Sequence, residues 1–223
     1  MTILRISLCL LILTACGRLP AEDDLLTVIM QAQQGTERVQ GTLRQFTTHL
    51  DRPDEDGTAF IVTFYLELPD KYHLRYQPEA DEEEKEWFLS DGTTQVHAEQ
   101  MFADEAPEVQ RKPVKKDSWG LQRIADFVRM DRASLEEDFD ASARPAAEAD
   151  TAVHSAASNV VELKPKGQIA DEIQSITVYL TSDHRTGAVA ILDRHDNHIL
   201  ITVVKADYDS PIDPGIFTWG QGE

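Results

Sequence analysis

From Thr58 to Leu68 the chain alternates without a break: Phe60, Val62, Phe64, Leu66 and Leu68 share one parity, and Ile61, Thr63, Tyr65 and Glu67 the other. A period of two over that length demands an extended strand, because successive side chains then point to opposite faces of a sheet. Pro69-Asp70 turns the chain, and Lys71 to Gln77 alternates again with Tyr72, Leu74 and Tyr76 on one side. Two consecutive strands with one bulky apolar face must cover that face with something. After the acidic stretch Glu79–Glu86, a short strand Glu86–Ser90, a tight Asp91-Gly92 turn and a return over Thr93–Ala98 follow. Trp87 and Leu89 are expected to extend the face of Tyr72, Leu74 and Tyr76.

The rest of the chain follows the same logic. Asp23 or Asp24 can cap a helix running to about Gln40, with Leu25, Leu26, Ile29, Ala32 and Val39 near helical spacing. Thr42–Leu50 reads as a strand. Ser118 to about Arg129 reads as a helix, and Ser134-Leu135-Glu136-Glu137 has the form of a capping box. Phe139–Ala143 reads as a strand and the Ala-rich Arg144–Ser158 as a loop. Strands are then expected over Asn159–Lys164, Glu172–Thr181, Ala188–Asp193 and His198–Lys205, with an extended C-terminal segment. Strands outnumber helices and no strand–helix–strand alternation occurs. The fold class is therefore α+β with an antiparallel sheet, and a doubly wound nucleotide-binding fold is not expected.

The first sixteen residues, MTILRISLCLLILTAC, have a charged start at Arg5 and an apolar run from Ile6 to Leu13. That run is too short to span a bilayer, which needs about 20 apolar residues, and has the length of a signal-peptide core. It ends in Leu13-Thr14-Ala15-Cys16, small residues ahead of a cysteine, which resembles the bacterial lipobox. In that pattern the cysteine becomes the new N-terminus and carries acyl chains. The expected organisation is a lipoprotein signal peptide over 1–15, a tether over 16–22 and one domain over 23–223. Cys16 is the expected lipid-attachment residue, giving a membrane anchor without a transmembrane helix. Gly17, rather than Asp, after the cysteine leans towards the outer membrane.

Little in the sequence suggests covalent chemistry. The only cysteines are Cys9 and Cys16, so the domain has no cysteine cluster, redox pair or catalytic thiol. Phosphate-binding, metalloprotease and nucleophile-elbow motifs are absent. His195 and His198 lie in DRHDNH, where Asp and Asn are better explained by a hairpin turn than by a metal. No enzyme activity, cofactor or metal is expected. With 40 acidic against 21 basic residues the formal charge is −19, which disfavours nucleic acid as a partner. The acidic run Glu79–Glu86, with Glu82, Glu83 and Glu84 at its centre, reads as a solvated hairpin tip; its alternative readings are a docking loop for a basic partner, such as an envelope protein, and a weak divalent-cation site. The basic island Arg111-Lys112-Pro113-Val114-Lys115-Lys116 reads as a cluster balancing nearby acids.

The order of these elements resembles the LolA/LolB superfamily of periplasmic lipoprotein carriers and receptors. The resemblance runs from about Leu25 to Trp219. It rests on the strand–Pro–strand block Phe64–Tyr76, the Leu89-Ser90-Asp91-Gly92-Thr93 hairpin, the strand end Val161–Pro165, and the closing meander Ile173–Leu180 and Val189–Val203 before Ile216-Phe217. It implies an unclosed antiparallel half-barrel covered on one side by a few helices, whose hollow takes up acyl chains. Soluble carriers of the family keep an Arg just before the Pro of that block; here the position is Leu68, while the nearby aromatic is kept as Tyr72. That departure speaks against a regulated carrier cycle, and the lipobox implies an anchored acceptor rather than a diffusing shuttle, with Met101-Phe102 the nearest counterpart of the receptor's apolar loop. The implied partners are acyl chains of lipoproteins or lipids. The residues expected to wall the cavity are Val62, Phe64, Leu66, Leu68, Tyr72, Leu74, Tyr76, Trp87 and Leu89. The competing expectation is an envelope interaction or sensor module whose sheet face is simply a packed core.

Overall fold

The computed structural model of the chain describes residues 22–33, 36–50, 57–80, 84–102, 104–114 and 136–220. Eleven strands form one antiparallel sheet in the order β6-β5-β4-β3-β2-β1-β11-β10-β9-β8-β7. In chain order these are β1 (Arg38–His49), β2 (Thr58–Glu67), β3 (Lys71–Pro78), β4 (Lys85–Asp91), β5 (Thr94–Gln100), β6 (Glu108–Pro113), β7 (Phe139–Pro145), β8 (Asn159–Pro165), β9 (Ile173–Leu180), β10 (Thr186–Asp193) and β11 (Asn197–Asp207). The end strands β6 and β7 do not pair with each other, so the sheet is unclosed, and among the described residues the helices are few and short. The α+β half-barrel expected from the resemblance is therefore present. Each half of the sheet is a meander, and the halves meet where β1 pairs with β11.

Local chemistry explains the turns. At the β4–β5 turn the Asp91 carboxylate accepts from the Thr93 and Thr94 backbone N–H groups at 2.8 and 2.7 Å. Gly92 there has φ +89°, a conformation that L side chains rarely adopt. At the β10–β11 turn the Asp193 carboxylate accepts from the His195 and Asn197 backbone N–H groups and from the Asn197 amide, at 2.7, 2.9 and 2.6 Å. The DRHDNH segment is thus the turn its composition implied. Among the described residues no group of three or more His, Cys, Asp and Glu could hold a metal ion.

Several expectations differ from the structure. The first helix, α1, is Glu22–Gln33 and stops short of Gln40; Val39 belongs to β1, where it is 2% exposed. The stretch 144–158 is not all loop, because β7 runs to Pro145 and a second helix, α2 (Glu148–Val153), follows. The cause is an ion pair: Arg144 Nη1 and Nη2 donate to the Asp150 carboxylate at 2.6 and 3.1 Å, and Asp150 also accepts from the Ala147 backbone N–H at 2.7 Å. The Arg144 guanidinium holds the Asp150 carboxyl below the usual carboxylate range. A third, one-turn helix, α3 (Ile169–Glu172), leads into β9. The basic island contributes Arg111, Lys112 and Pro113 to the edge strand β6, and the C-terminal segment contains a 3₁₀ turn at Pro214–Phe217. The helix expected from Ser118 to Arg129 lies outside the described residues, as does the start of the capping box at Ser134. Asp150→Ala leaves the Arg144 guanidinium with Glu162 as its remaining carboxylate partner, which accepts from Nε at 2.9 Å, and removes the α2 cap. Urea denaturation is expected to register a loss of about 2–3 kcal/mol; a loss under about 0.5 kcal/mol would show the pair to be structurally idle.

Candidate functional site: an apolar wall on the inner face

Register sorts the sheet into two faces. Directly paired residues share a face, so Val62 with Tyr76, Phe64 with Leu74 and Leu66 with Tyr72 form three rungs across β2 and β3. On β1 the same face carries Leu43 opposite Val62 and Val39 opposite Leu66. On β4 it carries Phe88, which pairs with Leu74. The side chains that meet there are Val39, Val62, Phe64, Leu66, Tyr72 and Leu74, packed against Leu43, Phe60, Leu68, Tyr76, Phe88, Ala206 and Tyr208. Followed through β11 and β10, this face continues to Val178, Ile176, Val161 and Leu163, where α1 lays Leu25, Leu26 and Ile29. The wall of β1–β4 and the floor under α1 are thus one surface.

Seven of the nine expected residues lie in this wall: Val62, Phe64, Leu66, Leu68, Tyr72, Leu74 and Tyr76. Trp87 and Leu89 do not. Trp87 pairs with Arg75 and Leu89 with His73, which puts both on the opposite face. There they pack with Ala98, Val96, Val109 and Trp219, the two indoles meeting edge to face at 5.6 Å. The reason is parity: a slip of one residue in strand pairing moves every side chain to the other face. Phe88 takes the place expected for Trp87 and Leu89. Trp87→Phe is therefore expected to leave any binding at the wall within about twofold, read by titration with a fluorescent fatty acid, whereas a tenfold loss would place the site on the other face.

The wall is uncharged at its centre. Burial pushes the Tyr72 and Tyr76 phenols up to about 12, so both stay neutral at any physiological pH. Tyr76 stands edge-on between Phe60 and Phe88, at ring distances of 6.2 and 5.7 Å. The apolar surface ends at β5, where Phe88 stacks on His97 at 4.6 Å and His97 Nε2 lies 2.7 Å from a Glu86 oxygen. Six wall residues are nearly inaccessible, between 2% (Val39, Val62, Leu74) and 7% (Tyr72) exposed. Phe60, Leu68, Tyr76, Phe88 and Leu43 are only partly buried and form its rim.

Other singled-out features have simpler surroundings. Glu79 accepts from Arg44 Nε and Nη2 at 2.6 and 3.0 Å, so part of the acidic run is paired on the surface. Glu82 and Glu83 lie outside the described residues, as does Cys16. Met101 and Phe102 stand exposed at the β5–β6 turn, 51% and 56% accessible. A shallow cleft of about 460 Å³ over β7–β9 is lined by charged and polar side chains, Asp140, Glu162, Lys164 and Thr177 among them, together with Ala141, Leu163 and Ile176. No described helix is long and apolar enough to cross a membrane.

No protein-family model matches the chain, and no curated protein matches it. Its architecture is similar to that of solved structures. A LolA superfamily protein from Nitrosomonas europaea is 11% identical with a TM-score of 0.44, over 88% of this chain and 97% of that one. The Mycobacterium tuberculosis lipoprotein LppX is 12% identical with a TM-score of 0.43, over 86% and 100%. MucB of Pseudomonas aeruginosa, solved with MucA, is 12% identical with a TM-score of 0.44, over 86% of this chain and 59% of that one. Likeness at this level carries no weight for function.

Proposed function

We propose that the chain is a lipoprotein anchored through Cys16 to the outer membrane, facing the periplasm, and that its inner face binds acyl chains of lipoproteins or lipids non-covalently. The observation that carries this reading is the unbroken apolar surface of Val62, Phe64, Leu66, Tyr72, Leu74, Tyr76 and Phe88 on adjacent rungs of a sheet that does not close. An acyl chain needs length and dryness rather than hydrogen bonds. Each methylene removed from water is worth about 0.8 kcal/mol, so a chain of about 15 methylenes supplies about 12 kcal/mol before ordering costs. Such binding reads chain length rather than head group. Because the central wall residues are covered, a ligand reaches them along the partly exposed rim, Phe60, Tyr76 and Phe88, as the covering atoms give way.

The full chain carrying Cys16→Ala, purified without detergent, is expected to take up a fluorescent fatty acid saturably. Uptake that rises linearly with probe, or none at all, contradicts the reading. The anchor is tested separately: intact mass of the wild-type chain extracted from membranes is expected to include a diacylglyceryl group that Cys16→Ala lacks.

One observation favours a second reading. Six wall residues at 7% exposure or less are what a filled core looks like. On that reading the chain is an envelope interaction module, and the soluble form takes up no lipid while remaining fully folded.

A further inference from the structure

The outer face of the β3–β4 hairpin is crossed by the C-terminal segment after β11. Ile212 and Phe217 of this strap are buried, and Trp219 seats on Trp87. Its 3₁₀ turn is capped by Asp213, whose carboxylate accepts from the Gly215 N–H at 2.9 Å. Lys71 Nζ stands 5.9 Å from the centre of the Phe217 ring. Beneath it lies His73, 8% exposed, with Nδ1 2.8 Å from the Ile216 carbonyl oxygen.

That contact fixes the tautomer. A carbonyl only accepts, so Nδ1 carries the proton and donates it. Nε2 is then the bare nitrogen, and it is buried with no hydrogen-bond partner. Neutral histidine tolerates this at modest cost. Protonated histidine would place an N–H⁺ where nothing accepts it and water does not reach. The charged groups around it offer no relief. On β3 itself stand Lys71 and Arg75, both cationic; from β2 comes Tyr65, its ring 5.8 Å away, and from β4 the directly opposed Leu89. Lys71 is engaged with Glu67 at 2.6 Å, and Asp91, the β4 carboxylate opposite Lys71, accepts from the turn that follows it. On the strap, Asp213 is committed to its own cap.

We propose that His73 is a pH-operated latch for the C-terminal strap: neutral, it pins Ile216 to the back of the β3–β4 hairpin, and protonated, it lets the strap go. Desolvation, above all, holds the His73 pKa below its ordinary 6.5; the Ile216 carbonyl opposes this and Arg75 adds to it. With the strap released, His73 takes up a proton more readily than with the strap docked. Docking is therefore fully stable above about pH 6.5 and weakens as pH falls through that value towards the lowered one. The hairpin held from behind by the strap presents Tyr72, Leu74, Tyr76 and Phe88 on its other side, so acidification loosens the support of the wall. The latch stands whether or not the wall binds acyl chains.

The Trp87–Trp219 pair reports the docked strap without any ligand. In the full Cys16→Ala chain, near-ultraviolet circular dichroism and tryptophan fluorescence are expected to change as pH falls from 7.5 to 5, with a midpoint under 6.5 and an unchanged far-ultraviolet spectrum. His73→Gln keeps a donor for Ile216 and cannot titrate, so its tryptophan signals are expected to stay flat over that range. A flat wild-type signal, or an identical transition in His73→Gln, overturns the latch. Should His73→Gln fail to fold, NMR of the wild-type chain decides. The His73 ring and the Trp219 indole resonances are expected to titrate together, and titration of His73 with a static Trp219 overturns the proposal.

Discussion

Gly41→Ala is expected to cost about 4 kcal/mol of stability, at the upper end of what single substitutions do. Gly41 sits in β1 just before the register shift between Thr42 and Leu43, where the two halves of the sheet are joined. On the shifted strand Val204 is skipped by the pairing and stands 62% exposed. The irregularity brings the Lys205 backbone over Gly41. A methyl there would lie 2.0 Å from the Lys205 carbonyl oxygen and 2.9 Å from its carbon. Those atoms are backbone, so no side-chain rotation relieves the clash, and β1 and β11 must part. The same movement would pull Ala206 and Tyr208 from the wall against which they pack. Urea unfolding monitored by circular dichroism measures the loss. A change below about 1 kcal/mol would mean that the seam between the halves yields freely.

Leu66→Glu is expected to abolish fatty-acid uptake by the Cys16→Ala chain. Leu66 is 3% exposed, opposite Val39 on one side and Tyr72 on the other. A carboxylate placed there either draws water into the wall or is held neutral at a cost of several kcal/mol. That cost is comparable to the whole stability of a domain, so Phe88→Glu supplies the companion measurement. Phe88 is only partly buried on the rim, so its replacement can keep its charge hydrated and the fold intact. Uptake is expected to fall at least tenfold in Phe88→Glu with an unchanged far-ultraviolet spectrum. Full uptake in a folded Phe88→Glu would remove the rim as the route to the wall.

How far the sequence reaches is clear from individual strands. The alternation of Thr58–Leu68 is enforced by residues inside one strand, so β2 and β3 and their faces were legible residue by residue. The Asp91-Gly92 turn was equally plain, because its carboxylate and its positive φ are local requirements. Parity across a loop is not local. Whether β4 shows Trp87 or Phe88 to the wall depends on how the chain crosses from Pro78 to Lys85, and a single residue decides it. The α2 helix was hidden for a similar reason: an Ala-rich stretch looks like a loop until Arg144 and Asp150 find each other across the end of β7. The strap was legible only as an extended tail, since the value of Ile216 and Trp219 lies in what they meet on β3 and β4.

A photoactivatable fatty acid, cross-linked to the Cys16→Ala chain and mapped by peptide mass spectrometry, tests the central claim most directly. Labels are expected on the inner-face strands at Leu43, Phe60, Tyr76 and Phe88, and competed away by unlabelled fatty acid. Labels confined to the Trp87–Trp219 face, or scattered without competition, would mean that the inner face is packed core and carries no lipid.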